Sequence, residues 1–394
     1  MPEEISAMRS TMPVRRDALR ILVCAVLGAL PVLSALAQTG TSVIGAESRG
    51  AASQQRARVG KGPIGVALLV PPDNGIYRRA AQALIAGVRA AHARDGREVS
   101  LEIVEIDEDV VMLRTLYDEL QRRGFSMVIG PLTRSAVDLV VQQGAPPVFT
   151  LVLNQPEARE LPANLASFGL SIETDARQAA SIAWDEASIA TSSRRPRAAV
   201  VQDASPLGRR SAVAFAERWR ALGGDVYAPV EIAVPAAGRV RSAIARLQAD
   251  VFFVAASPDT ARALRVALGG RATLYGTATL NTGAVQGAEA SAALLRSADL
   301  DGVRLVDMPW LVQRDSIAVM AYPRPEMHME LQRLYALGID AFRLALQWLE
   351  RDARIDLDGV TGRLRWSAGG GGVVERDGVL AEYRDGMLVP LAAP

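Results

Sequence analysis

Ile64-Gly65-Val66-Ala67-Leu68-Leu69-Val70 is a continuous apolar run of strand length, stopped by Pro71-Pro72-Asp73-Asn74-Gly75. Behind that turn, Ile76, Ala80, Leu84, Val88 and Ala91 recur at close to 3.6 residues, which predicts an amphipathic helix. A strand with no polar alternation is covered on both faces, the pattern of a parallel sheet sandwiched by helices.

The unit repeats along the chain. Strands are predicted over 101–106, 127–129, 147–151, 198–201, 226–232, 251–255 and 273–275, with apolar helical stretches between them. Thr174-Asp175 is expected to cap one helix, and Gly223-Gly224 to stop the next. A long helix is predicted from about Met327 to Arg351, with Gly338 as a candidate interruption. After Asp358-Gly359 the pattern changes to short hairpins, turned at 369–372, Asp377-Gly378 and Asp385-Gly386.

At 394 residues with 49% hydrophobic content, the chain can bury a sizeable core and divides naturally into two lobes. The expected fold class is α/β, two-lobed, with a parallel sheet in each lobe. The first lobe is expected over 62–170 plus 312–350, and the second over 171–311 plus 351–394, the last hairpins lying near the hinge.

The beginning of the chain reads as an export signal over residues 1–37. Arg15, Arg16 and Arg20 precede an apolar run from Ile21 to Ala37 that contains Pro31 and closes on Ala35-Leu36-Ala37. That run is shorter than the roughly 20 apolar residues of a bilayer span, which favours cleavage over anchoring. The single cysteine, Cys24, lies inside the signal, only Ile21, Leu22 and Val23 separating it from Arg20. The expectation is therefore a periplasmic protein without a lipid anchor, a disulfide or a transmembrane span after the signal. Residues 38–61 have no apolar periodicity and read as a flexible linker.

Charge excludes further classes. The 44 basic and 43 acidic residues nearly cancel, and Lys61 is the only lysine, so nothing marks a nucleic-acid partner. After the signal only His92 and His328 remain as imidazoles, and neither has the spacing of a metal site. No Gly-x-Ser-x-Gly elbow or phosphate-cradling loop occurs. Asp107-Glu108-Asp109 follows a strand and opens a helix, where negative charge suits the helix dipole. No enzyme activity, metal or cofactor is expected.

Ligands of parallel α/β sheets bind beyond the carboxyl ends of the strands. The loops at those ends supply the candidate cleft: Asp73, Asn74, Thr133, Arg134, Ser135 and Asn154 from the first lobe, and Asp203 and Ser257 from the second. Each can equally be an ordinary turn or helix cap.

The order of these segments resembles a type I periplasmic-binding-protein fold: Pro71-Pro72, then Ile129-Gly130-Pro131-Leu132-Thr133, Pro146-Pro147-Val148-Phe149 to Asn154, Asp203 to Gly208, and the late helix around Tyr335 to Ala341. The later segments resemble the LppC-type penicillin-binding protein activators. They are Leu337-Gly338-Ile339-Asp340-Ala341, Asp358-Gly359-Val360-Thr361-Gly362-Arg363-Leu364, Arg376, and Tyr383-Arg384-Asp385-Gly386. The resemblance implies stimulation of a peptidoglycan synthase by protein contact, without catalysis. Longer members of that family carry a helical-repeat domain ahead of this fold, and many are lipoproteins. The alternative is the solute-binding subunit of an ABC transporter, with an amino acid or another small molecule in the cleft. Amino-acid binders of this kind usually carry a small Ser/Thr pair after the Gly-Pro turn and a Tyr before the Gly of the Asp-containing loop. Thr133-Arg134 and Leu207-Gly208 stand there instead.

Overall fold

The computed structural model describes residues 57–59, 64–96, 98–158, 160–192, 194–283, 297–350, 353–368 and 372–391. The readings of the export signal and of Cys24 lie outside them. Elements β1 (Ala57–Val59), β2 (Ile64–Val70), α1 (Arg78–Asp95), β3 (Val99–Glu105), α2 (Val110–Arg122), β4 (Phe125–Ile129), α3 (Arg134–Gln142), β5 (Phe149–Val152) and β6 (Leu165–Ser167) build the first lobe. Its six-stranded sheet has the order β1-β3-β2-β4-β5-β6, parallel apart from β1. The decisive run is β2. Val66, Leu68 and Val70 enter one core, and Ala67 and Leu69 enter the core on the opposite face with residues of α2 and α3. Both faces are dry, so the strand needs no polar alternation.

The second lobe follows as α4 (Ile172–Ala190), β7 (Arg197–Gln202), α5 (Pro206–Ala221), β8 (Asp225–Val226), β9 (Val230–Glu231), α6 (Ala237–Ile244), β10 (Val251–Ala255), α7 (Pro258–Leu268), β11 (Thr273–Thr277) and β12 (Val303–Asp307). Here Val251, Phe253 and Ala255 face α4 and α5, while Phe252 and Val254 face α6 and α7. Phe253 stacks on Phe215 at 4.2 Å between ring centres, and Trp219 closes that layer. Two helical turns, Pro309–Val312 and Ile317–Met320, lead to α8 (Met329–Leu349). Strands β13 (Arg354–Asp358), β14 (Arg363–Ser367), β15 (Glu375–Asp377), β16 (Val379–Arg384) and β17 (Met387–Pro390) complete the chain. The second sheet runs β17-β16-β12-β11-β10-β7-β8, with β9 also on β7. The inner strands are parallel, and β16 enters antiparallel to β12.

The hairpin region divides. Ile355, Leu364 and Val374 join the first-lobe core, and β13, β14 and β15 form a separate antiparallel sheet. Backbone bonds from Ser167 N to Gly372 O (2.9 Å) and Val374 N to Ser167 O (2.8 Å) fasten that sheet to the edge of β6. Leu380 and Tyr383 of β16 join the second-lobe cores.

Several local expectations change. Gly338 does not interrupt α8. It sits where α8 crosses α1, and a Cβ there would lie 2.3 Å from Leu84 O; one on Gly87 would lie 1.9 Å from Tyr335 O. Two reciprocal glycines let the helix backbones touch, so small size rather than flexibility explains them. Helix α4 is capped by Ser171, whose hydroxyl accepts from Thr174 N at 3.3 Å, and Asp175 is turned inward. The predicted strand over 226–232 is two short pieces, β8 and β9. Ala57–Val59, inside the expected linker, pairs with β3; edge pairing leaves no periodic signature. Strand β13 occupies the segment between the predicted end of the long helix and the Asp358-Gly359 turn.

Candidate functional site

The candidate cleft residues sit at strand ends, and most are engaged within their own lobe. Asp73 and Asn74 are exposed in the turn after β2, with Asp73 accepting from Gln82 Nε2 at 2.9 Å. Thr133 is buried and caps α3 through Ala136 N at 3.3 Å. Its hydroxyl donates to Glu108 Oε1 at 2.8 Å, and the Ser135 hydroxyl donates to the same oxygen at 2.5 Å. Asn154 is buried and knits adjacent loops, donating to Leu132 O at 3.2 Å and accepting from Gln155 N at 2.9 Å. Arg134 is half-buried, with its Nε enclosed and unpartnered. In the second lobe, Asp203 accepts from Ser205 N at 3.0 Å and Ser205 Oγ at 2.5 Å, and Ser257 caps α7 through Thr260 N at 3.4 Å.

Thr133, Ser135 and Glu108 therefore form one group. A helix N-terminus with two hydroxyls is a natural seat for an anion. Here the chain seats its own Glu108 carboxylate there. Asp109, next to it, caps α2 by accepting from Val111 N and Met112 N, each at 2.9 Å. The acidic triplet is structural on two of its three positions.

The strongest concentration of buried charge lies at the lobe junction. Asp307, at the end of β12 in the second lobe, holds Arg333 of α8 through both oxygens; the Nη2–Oδ2 distance is 2.9 Å. Asp307 also accepts from Asn281 Nδ2 at 2.7 Å and Met308 N at 2.7 Å. Burial disfavours the Arg333 cation, but the Asp307 charge and hydrogen bonds outweigh it and raise its pKa. A second pair crosses the junction: Asp175 of α4 binds Arg376 of β15, which also donates to Thr361 O at 3.1 Å. Burial pushes the Asp175 carboxyl up, Arg376 pulls it down, and the nearby Asp307 adds repulsion. Gln178 of α4 exchanges two 2.8 Å bonds with the backbone of Gly378.

Asp340, completely buried on α8, accepts from Val360 N (3.0 Å), Thr361 N (2.7 Å) and the Thr361 hydroxyl (2.6 Å). Burial raises its pKa, opposed by Arg343 at 3.2 Å and by those bonds. Gly359 must be small because a Cβ would meet Asp340 Oδ2 at 2.5 Å. Trp310 N donates to Val360 O at 2.9 Å, tying the returning chain to the same loop.

The family pattern described as "LppC putative lipoprotein" matches residues 61–233 and 233–386. The chain belongs to the LppC family. Among curated relatives, the Edwardsiella piscicida protein named "Penicillin-binding protein activator LpoA" is 29% identical over 329 residues, covering 71% of this chain and 44% of its own. The chain spans about half the length of the curated relatives it matches. Among solved structures, one from Chromobacterium violaceum described as a "putative branched-chain amino acid ABC transporter" matches with TM-score 0.67 and 32% identity. It is covered completely and covers 81% of this chain. The Haemophilus influenzae "LpoA (YraM) C-domain", described as "a regulator of PBP1A", matches with TM-score 0.65 and 22% identity. It too is covered completely, and 83% of this chain is matched, a likeness of fold.

Of the residues that carry the LppC resemblance, Asp340, Gly359, Thr361 and Arg376 meet around the 358–362 loop, and Arg376 links that loop to α4. Gly338 lies where α8 crosses α1, and the Tyr383 hydroxyl bonds to Thr282 N and Leu280 O in the second lobe. Sequence reasoning found Asp340, Thr361 and Arg376 but missed the Asp307–Arg333 pair and Asp175 as the partner of Arg376. A signal was present: Arg333 and Asp340 interrupt the apolar face of a helix at buried positions, where charge must be paired. Among the described residues no group of three or more His, Cys, Asp or Glu side chains is arranged to hold a metal. His92 is half-buried, bonded to Val99 O at 2.9 Å and edge-on to Phe342. No helix among the described residues is long and apolar enough to cross a membrane.

Proposed function

We propose that this LppC chain is a non-catalytic activator of a peptidoglycan synthase of the penicillin-binding-protein type, acting by protein contact. The observation that carries the reading is the family match over both halves of the chain, alongside curated relatives named as activators. The junction supports it. Two buried Asp–Arg pairs brace the lobes, and the Asp340 clasp fixes the loop on which Arg376 rests, which suits a rigid scaffold better than a clamp that closes on solute. At α3, Glu108 fills the anion seat from within.

The proposal includes export to the periplasm through residues 1–37, with no acyl group on Cys24 and no catalytic step. It also takes 62–170 plus 312–350 as one lobe and 171–311 plus 351–394 as the other; core membership supports most of that division, with Met308, Trp310, Ile355 and Leu364 packing instead with the first lobe. An ABC-transporter solute binder is the second reading, favoured by the 32% identity to the Chromobacterium structure.

The test pairs binding of the mature chain to a purified class A penicillin-binding protein with a thermal-shift screen of amino acids. Synthase binding with increased glycan polymerisation, and no ligand shift, is expected. A ligand at a hundredfold excess over its Kd would stabilise the chain by ~2.7 kcal/mol. Such a shift without synthase binding would overturn the activator reading. An acyl mass on a chain beginning at Cys24 would overturn the unanchored form.

A further inference from the structure

We infer that the groove between the end of β3 and the first turns of α2 is a docking site for a partner-protein segment that presents apolar side chains flanked by Lys or Arg. The inference rests on the activator reading and names the contact surface. The groove encloses about 200 Å³. Its floor is apolar, from Val104, Ile106, Leu113 and Leu116, and Val111 and Met112 stand on its lip. Three consecutive large apolar residues are open to solvent here: Val110 at 45%, Val111 at 73% and Met112 at 47%.

Neither folding nor helix formation explains that choice. Val is a weak helix former, and these residues lie at the solvent side of an already capped helix turn. Leaving apolar surface in water forgoes ~25 cal/mol per Å². Contiguous exposure of this kind marks an interaction surface, whereas isolated exposed apolar residues such as Ile189 and Val266 are ordinary. Met is well suited to such a lip because its unbranched thioether adapts to what it meets.

Size and charge select the occupant. Small-molecule pockets run to roughly 300–1,000 Å³. A shallower groove with an apolar rim fits one or two anchoring side chains. The rim is acidic: residues 105–119 hold six carboxylates (Glu105, Asp107, Glu108, Asp109, Asp118 and Glu119) against Arg114 alone, in a chain whose charges nearly cancel overall. Glu108 and Asp109 are used internally and Glu119 pairs with Arg123, which leaves Glu105 and Asp107 as the charges that flank the groove directly. Opposite charge at a rim steers encounter and selects against acidic partners.

The test uses the mature chain and a purified class A synthase. Val111→Asp with Met112→Ser should weaken binding about tenfold or more, as loss of apolar anchors does. Glu105→Lys with Asp107→Lys should weaken it and abolish its sensitivity to salt. Ile189→Asp, at an exposed site elsewhere, should bind as the wild type does. Hydrogen exchange of residues 105–119 should slow when synthase is added. All the variants change exposed or rim side chains, and an unchanged thermal midpoint verifies their folding. Wild-type binding with unaffected groove variants and no protection over 105–119 overturns the docking site and leaves the activator reading standing. Absence of wild-type binding overturns the activator reading, and the docking site with it.

Discussion

Replacing Gly338 by alanine tests the close crossing of α8 on α1. In isolation the change favours a helix, by about 1 kcal/mol. Packing opposes it. The new Cβ would lie 2.3 Å from Leu84 O and 2.9 Å from Val88 N, both backbone atoms of α1 that cannot rotate away. To restore ordinary contact α8 must retreat from α1 by about 1 Å, which is the regime of overpacked cores, with costs of about 1–3 kcal/mol. With fixed backbone atoms in the way the packing cost falls at the upper end of that range, so the net expectation is a loss of about 2 kcal/mol, seen as a fall of about 2–3 °C in calorimetric midpoint for a chain of this size. Gly87→Ala should cost more, since its Cβ would approach Tyr335 O to 1.9 Å. The double variant should cost less than the two single losses combined, because one separation of the helices relieves both clashes. Gly238 in α6 is the control: nothing lies within 4 Å of its would-be Cβ, so Gly238→Ala should gain up to about 1 kcal/mol. A Gly338→Ala protein as stable as the wild type, with Gly238→Ala stabilised as expected, would refute the close-contact account of this glycine.

Two further outcomes follow from the charges. Arg376→Ala leaves the Asp175 carboxyl buried without its cation and should cost about 3–5 kcal/mol in denaturant unfolding. Adding Asp175→Ala should recover part of that loss; full additivity in the cycle would show that the two do not interact. At Asp250, partial burial disfavours the charge, but hydrogen bonds from Arg194 and from Arg197 N (2.8 Å) outweigh it and lower the pKa. A carboxyl with a lowered folded pKa stabilises fully above its unfolded value of about 3.9 and loses that contribution as pH falls through the folded value. The stability gap between wild type and Asp250→Asn should therefore be widest near neutral pH and shrink towards pH 2; a gap that widens on acidification would contradict it.

The parallel sheets were legible because β2, β7 and β10 hold uninterrupted apolar runs and each is followed by a helix of the right period. What the sequence did not disclose is where single charges go. Asp307, at the carboxyl end of β12, is placed like a cleft residue, yet it is turned into the junction by Arg333, 26 residues later. Asp175 looked like part of a helix cap; its partner is Arg376, 201 residues away. Local pattern carries no information about such pairings, because the electrostatic cost of burial is met by whatever the tertiary fold brings near. The cleft candidates were legible as strand-end loops, but the Glu108 carboxylate that takes the Thr133 and Ser135 hydroxyls is a contact between two different crossovers.

Most of the residues that carry the LppC resemblance thus brace the scaffold. Gly338 and Gly359 are sites of close approach, Asp340 and Thr361 clasp a loop, and Arg376 reaches across to α4. None of these needs a ligand or a partner to explain it, so likeness in these positions speaks to how the lobes are held and is silent about what they touch. A contact surface for a partner must be sought where residue choice is poorly explained by the fold. Val110, Val111 and Met112 meet that condition: their helix is capped by Asp109, its inner face is filled by Leu113, Leu116 and Leu120, and polar side chains would serve the fold as well. A scaffold braced at its junction and bearing an acidic-rimmed apolar groove on one lobe can present that groove in a fixed orientation, which is what activation by contact, without catalysis, requires.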